Sequence, residues 1–272
     1  MATDRSEAFV TASVPEAYDR FLVGPLFTPW AQQLVERAAP SPGAAVLDVA
    51  CGPGTVARLV AERIGDAGRV LACDISPAML AVAAAVPGAP GAAPIEYREC
   101  SADALDVADA GCDLVLCQQG LQFFPDRPAA LREMRRALLD GGTLTLAVWA
   151  TEHPLGLFGP IAEAVRDCGA IEPFPRAFDP ASYTIAAAEL RALLAEGGWR
   201  EVAVDAVELD CVWASRDEVL GTVGGTPFGP LVAALAPADR DRFAALLSER
   251  LGADGTGEVR VRTVANVARA TR

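Results

Sequence analysis

Apolar residues in this chain gather into short runs, separated by glycine turns and by longer amphipathic stretches. Strand-like runs fall at 46–50, 69–73, 95–99, 112–117 and 143–149. Helix-like segments lie between them at 56–64, 77–86 and 128–139. Pro77 and Pro128 stand where a first-turn proline is tolerated, and Gly141-Gly142 reads as the stop of the third helix. Five strands alternating with helices predict an α/β domain on a parallel sheet with helices on both faces. Ligands of such sheets bind beyond the carboxyl ends of the strands, where strand order reverses. The candidate residues are those that follow the strands: 51–55, Asp74, 101–103, 118–124 and 150–154.

Composition narrows the class without choosing a function. The chain has 272 residues, 52% of them hydrophobic, which predicts a folded soluble protein with a full core. A net charge of −13 and no basic patch of length argue against nucleic acid as a partner. No run of about 18 apolar residues offers a membrane span. The first residues, MATDRSEAFVTASVPEAYDRF, lack a basic start followed by an apolar core, so a cytoplasmic location is expected rather than secretion. Seven cysteines, at 51, 73, 100, 112, 117, 168 and 211, include no C-x-x-C pair. Buried reduced thiols and no metal centre are expected from that scatter. All 23 positive residues are arginine, which fits GC-rich coding and carries no mechanism.

The stretch VLDVACGPGT, from Val46 to Thr55, joins a strand to a helix through glycines that allow positive φ and close backbone approach to a ligand. A helix N-terminus follows and favours anionic groups. Gly52-x-Gly54-x-x-Ala57 also fits the dinucleotide fingerprint, so the turn alone does not separate a nicotinamide enzyme from other nucleotide binders. Asp74 ends the second strand, where a carboxylate can accept both hydroxyls of a ribose; it could instead cap the next helix, although Ser76 is better placed for that. Asp48 puts an acid at the end of the first strand, where an ammonium group would meet it, or where loop amides would satisfy it. Asp103 follows the third strand and could accept an adenine amino group or cap a helix. Pro53 removes a donor from the middle of the turn, which counts against a pyrophosphate cradle.

VLDVACGPGT, LACDISPAML, CSADALD, CDLVLCQQGLQFFPD and LREMRRALLDGGTLTLAVW, in that order and spacing, resemble the successive motifs of class I S-adenosylmethionine-dependent methyltransferases. Within that class the motifs resemble small-molecule enzymes similar to those that methylate ubiquinone and menaquinone precursors, and the resemblance runs from Val46 to Trp149. It implies a Rossmann-like, doubly wound, seven-stranded and mainly parallel sheet with an antiparallel last strand. The last two strands then fall at 200–211 and 258–268, the latter alternating as an edge or half-exposed strand should. The implied cofactor is S-adenosylmethionine, leaving as S-adenosylhomocysteine. Carried over position by position, its binding residues are Tyr18, Asp48, Ala50, Gly52, Gly54, Asp74, Ile75, Met79, Ala102, Asp103, Ala104, Gln118 and Gln122.

Two departures from the family pattern bear on chemistry. Ala50 stands where the family's turn usually begins with glycine, and Gln122 where many relatives carry histidine. Glutamine cannot act as a general base near neutral pH. Methyl transfer from a sulfonium mainly requires an acceptor held in line, and positioning is favoured here over base catalysis. His153, the only histidine, is the candidate base, with Glu152, Asp179 and Tyr183 in the same connection.

Aromatic residues outside the motifs, Phe21, Phe27, Trp30, Phe178 and Tyr183, together with Phe124 near the end of the fourth motif, are expected to line an acceptor pocket. The expected organisation is an N-terminal helical lid at 1–40, a cofactor-binding core at 41–150, and lid insertions with the sheet-completing strands at 151–272. The expected function is methylation of an O, N or C atom of a small apolar or aromatic metabolite, in specialised biosynthesis. A modified-peptide acceptor, a nicotinamide oxidoreductase and a non-methylating protein that keeps the fold are the alternatives. A small-molecule acceptor is the expected partner, with neither nucleic acid nor membrane; the sequence does not set the oligomeric state.

Overall fold

The structure is a computed structural model that describes residues 18–153, 156–168, 180–253 and 257–272. Seven strands form one sheet: β1 Ala45–Val49, β2 Arg69–Asp74, β3 Ile95–Glu99, β4 Cys112–Gln118, β5 Leu138–Trp149, β6 Arg200–Trp213 and β7 Val259–Thr271. Their order is β3-β2-β1-β4-β5-β7-β6. β1 runs parallel to β2 and β4, β2 to β3, and β4 to β5, while β7 runs antiparallel to β5. This is the doubly wound, mainly parallel sheet with an antiparallel last strand that the resemblance implies. Strand order reverses between β1 and β4, and every residue of β1 is buried.

The first helices are α1 Thr28–Ala38, α2 Thr55–Ile64, α3 Pro77–Ala85 and α4 Arg127–Ala137. In α2, Val56, Ala57, Val60, Ala61 and Ile64 are buried, a stripe at helical spacing. The Ser76 hydroxyl accepts the Met79 N–H (3.4 Å) at the start of α3, and the Asp126 carboxylate accepts the Ala129 N–H (2.8 Å) at the start of α4. Such caps contribute about 1 kcal/mol each. Further along lie α5 Phe158–Asp167, α6 Ala187–Glu196, α7 Arg216–Thr222, α8 Gly229–Ala233 and α9 Pro237–Arg250. Alternate residues of the central strands, among them Leu47, Val49, Val115, Cys117 and Leu146, form a core with Leu131 and Met134 of α4 and Leu190 and Leu194 of α6.

Two expectations are corrected. Gly141-Gly142 does not stop a helix: α4 already ends at Ala137, Leu138 is extended, and both glycines lie within β5. The pairing of β4 with β5 jumps from Cys112↔Leu138 to Leu114↔Thr143, so β5 carries the excess residues as a bulge. Gly141 takes φ +80° there, and a Cβ on Gly142 would stand 2.9 Å from the Leu139 carbonyl oxygen. Nor is β7 an edge strand. It lies between β5 and β6, leaving β6 at the edge, and its alternation gives way to a continuously buried run from Thr263 to Ala268.

The chain divides into two interleaved units. The sheet unit comprises Trp30–Ala150, Ile185–Val207 and Ala265–Arg272. Within it Trp30 meets Trp149 edge-on at 5.7 Å between ring centroids, and the Asn266 amide donates to the Ile185 carbonyl (2.9 Å). The second unit collects the described residues of Met1–Pro29, Thr151–Thr184 and Glu208–Val264. It begins with a π-wound segment, Asp19–Phe27, in which the Thr28 N–H reaches the Val23 carbonyl. There Tyr18 stacks on Phe27 (5.0 Å), the Trp213 indole N–H donates to the Phe21 carbonyl (3.1 Å), and Arg250 pairs with Glu163 and Asp167. Among the described residues, no helix is long and apolar enough to cross a membrane.

Candidate functional site

The carboxyl ends of β1, β2 and β4 meet around the glycine turn. Ala50, Gly52 and Gly54 all take left-handed backbone, with φ +59°, +54° and +80°. The Cys51 N–H donates to the Cys73 carbonyl (2.9 Å), and the Gly54 N–H closes the turn on the Cys51 carbonyl (2.9 Å). Arg58 reaches back from α2 to the Pro53 carbonyl (2.7 Å). The two glycines serve different needs. A Cβ on Gly52 would meet nothing within 4 Å, so the backbone is bare on that side. One on Gly54 would stand 2.8 Å from the Tyr97 hydroxyl and 3.1 Å from the Ala83 Cβ, so this glycine is required by packing.

Two carboxylates face this turn from adjacent strands. Asp74 braces it: one oxygen accepts the Gly52 N–H (2.8 Å), the other the Ser76 N–H (2.9 Å). Burial raises its pKa, and these N–H groups hold part of that rise back. Asp48 is only 1% exposed, and neither of its oxygens has a hydrogen-bond partner. Burial, reinforced by the negative charge of Asp74, pushes its carboxyl up to about 8, and the nearby Ala57 N–H offsets only part of this. Loop amides therefore do not satisfy Asp48. A buried acid with both oxygens free is suited to a cation that would pair with its ionised form.

The other expected cofactor residues of the core belong to the same unit. Ile75 is 47% exposed at the end of β2, and Met79 is buried in the first turn of α3. Ala102 is half-buried, Asp103 and Ala104 are exposed, and Asp103 accepts the Ser101 hydroxyl. No helix lies between β3 and β4, so Asp103 is not a helix cap. Gln118 ends β4, and Gln122 is buried, its Nε2 donating to the side-chain Oε1 of Gln119 at 3.4 Å. Between them, inside the stretch 118–124 expected from its place after β4, lie two residues to which the sequence assigned no individual role. Gln119 is left-handed at φ +53°, and Gly120 leaves room for the Ala50 methyl. The glycine in QQG was the available signal.

Of the expected acceptor residues, Phe124 is half-buried beside Gly120, and Trp30 has no exposed surface, the position of a core residue. Tyr18, Phe21, Phe27, Tyr183 and His153 belong to the second unit; Phe27 and Tyr183 are buried, and His153 is half-buried. Phe178 and Asp179 lie outside the described residues. Among the described residues, no three His, Cys, Asp or Glu side chains gather as a metal ion would require.

Residues 46–142 match the family described as "Methyltransferase domain". A ubiquinone/menaquinone biosynthesis C-methyltransferase of Xanthomonas campestris is 41% identical over 114 residues, which is 42% of this chain and 45% of that protein. An uncharacterized protein of Mycobacterium bovis is 35% identical over 133 residues, 49% of this chain and 46% of its own length. The chain thus spans about half the length of the curated relatives it matches. Among solved structures, a Haemonchus contortus phosphoethanolamine N-methyltransferase 2 bound to S-adenosylmethionine aligns with TM-score 0.62 at 15% identity, covering 100% of this chain and 60% of that one. The cyclase SpnF aligns with TM-score 0.59 at 18% identity, covering 97% and 94%. These likenesses establish the fold.

Proposed function

We propose that this chain, whose residues 46–142 form a methyltransferase domain, transfers a methyl group from S-adenosylmethionine to a small apolar or aromatic acceptor. The observation that carries the reading is Asp48, a buried acid with both oxygens unpartnered beside a bare glycine turn. The residues fit the cofactor. Its ammonium would restore the charge of Asp48, its ribose hydroxyls would find the remaining lone pairs of Asp74, and Ile75 offers an exposed apolar side to the adenine. Asp103, flanked by Ala102 and Ala104, would accept the adenine amino group; Gly52, Gly54, Ala50, Met79, Gln118 and Gln122 complete the proposed set. When bound, the cofactor supplies a sulfonium methyl that is already electrophilic. The protein's part is then to hold the acceptor in line and exclude water. Gln122 can orient a ligand by hydrogen bonds and cannot take its proton.

The relatives' name supports a carbon acceptor, in a compound of the quinone-precursor kind, over a specialised metabolite. A second reading rests on the cyclase SpnF, a structural neighbour: the fold serves other reactions, so this chain could bind the cofactor without methyl transfer. Titration calorimetry with S-adenosylmethionine and with a nicotinamide dinucleotide tests the cofactor. Asp74→Ala should weaken S-adenosylmethionine binding by about 2–4 kcal/mol, because it also strips two backbone N–H groups of their acceptor. Unchanged affinity in the folded variant would refute the assignment. Methyl-labelled cofactor incubated with quinone precursors, phenols, acids and amines separates transfer from binding.

A further inference from the structure

Cys73 and Cys100 approach each other where β2 and β3 end. Parallel register sets Cys73 opposite Arg98 and Asp74 opposite Glu99, so Cys100 falls on the same sheet face as Cys73. The ladder continues one residue further, the Cys100 N–H donating to the Asp74 carbonyl (3.1 Å). The two thiols perturb one another's titration strongly, and neither is in a disulfide. Cys73 is 1% exposed, whereas Cys100 is half-buried and open to small reagents. The influence of Cys73 brings the Cys100 thiol down to about 7 against the effect of burial, helped by the Asp106 backbone N–H and the Arg98 guanidinium. Cys100 and burial push Cys73 up. Cys51, Cys112, Cys117 and Cys211 are all raised, in each case chiefly by burial. One accessible thiolate thus stands in front of one protonated thiol, a division suited to stepwise oxidation.

We propose that Cys73 and Cys100 form an oxidisable dithiol, a modification site that reacts with hydroperoxides and closes into a cross-strand disulfide beside the glycine turn. In the first step the Cys100 thiolate attacks a peroxide oxygen and the O–O bond breaks. Cys100 becomes a sulfenic acid, and the departing hydroxide or alkoxide takes up the proton that the Cys100 thiol released to solvent on ionising. In the second, the Cys73 sulfur attacks the Cys100 sulfur and the S–O bond breaks. The hydroxyl leaves as water with the Cys73 proton. Two thiols are oxidised to a disulfide, and one hydroperoxide is reduced to water and an alcohol, or to two waters when it is hydrogen peroxide. Cys100 lies two residues beyond the register partner of Cys73, and a disulfide needs its Cα atoms within about 7 Å, so closure shifts the end of β3 along β2. Asp74, next to Cys73 and bonded through its carbonyl to Cys100, moves with it and loosens its hold on Gly52. On the cofactor reading above, the disulfide therefore weakens S-adenosylmethionine binding at least tenfold.

The test treats the full chain with equimolar hydrogen peroxide. Intact mass should fall by two hydrogens, and a tryptic digest should join the peptides on either side of Arg98 through Cys73 and Cys100. In Cys73→Ser, dimedone should instead trap a sulfenic acid at Cys100. No reaction, a cross-link through other cysteines, or a lasting sulfenic acid in the unaltered chain would overturn the dithiol. Calorimetry on the reduced chain tests the cofactor reading by itself. Equal affinity in reduced and oxidised chains would overturn the coupling, and recovery with dithiothreitol would support it.

Discussion

The methyl group of Ala50 occupies the place that a side chain on Gly120 would need: a Cβ on Gly120 would stand 2.7 Å from the Ala50 Cβ. Ala50 holds φ +59° to put it there, a conformation that costs a non-glycine residue about 1–2 kcal/mol. Gly120→Ala should destabilise the protein by about 1–3 kcal/mol through overpacking. Ala50→Gly should recover part of that loss, but not all, because Cys117 Sγ (3.0 Å) and Phe124 Cζ (3.3 Å) also crowd the site. Urea unfolding of the two variants and their combination measures the coupling, and strict additivity would show that the two residues do not meet.

Asp48 predicts a pH dependence. Its carboxyl titrates at about 8 in the folded chain, against an ordinary value near 3.8. Between those values the folded state holds a proton that the unfolded chain has lost, so this group makes stability fall as pH rises, with the loss complete above about 8. Asp48→Asn should flatten that slope and raise the melting temperature of the ligand-free protein at neutral pH and above. Affinity for S-adenosylmethionine in the unaltered chain should rise with pH and level off near 8, since a proton must leave for the cation to pair. The variant should lose at least about tenfold in affinity, roughly 1.4 kcal/mol, and that pH dependence with it. Melting curves and calorimetry across the range decide it; a variant that binds as tightly as the parent removes Asp48 from the site.

The two turn glycines should fail differently. Gly52→Val should abolish S-adenosylhomocysteine binding and leave the far-ultraviolet circular dichroism nearly unchanged, since its Cβ meets nothing of the protein and the cost to folding is the left-handed strain alone, about 1–2 kcal/mol. Gly54→Ala should lower stability by about 2–4 kcal/mol, combining left-handed strain with the clash against Tyr97 and Ala83. Normal ligand binding by Gly52→Val would put the cofactor elsewhere.

His153 separates two ways of driving the reaction. With positioning dominant, His153→Ala should cut turnover by less than about tenfold. General-base catalysis predicts a loss of roughly 10²–10⁴-fold and the disappearance of the acidic limb of the pH profile. Turnover and its pH profile in the variant, with cofactor affinity measured alongside, distinguish the two.

The parallel core was legible because each strand announces itself. Its apolar run is short, and its ends carry residues with one evident use, such as Ser76 capping α3 or glycine in the turn after β1. Observed strands begin and end within a residue or two of the apolar runs for β1 to β4, and β3 coincides at Ile95–Glu99. What failed was information held by a partner. Gly141-Gly142 reads equally as a helix stop or a strand bulge, and the pairing of β5 with β4 chooses. The alternation at the start of β7 describes exposure locally, while the buried run beyond it depends on lying between two strands. Chain order alone was enough to expect Asp48, Asp74 and the glycine turn at the ends of β1 and β2, where the structure has them. The Ala50–Gly120 fit and the Cys73–Cys100 contact join different strands, so no local pattern marks them.

Because β7 lies between β5 and β6, the order of synthesis and the order of the sheet disagree. As the chain leaves the ribosome, β1 to β5 can assemble one beside another, yet β6 emerges with no strand to pair with until β7 has followed it. Through that interval β5 and β6 each carry a row of unsatisfied backbone groups, open to another nascent chain as readily as to their own. The sheet is therefore completed late, by insertion, and chaperone binding during that delay should fall on these two strands.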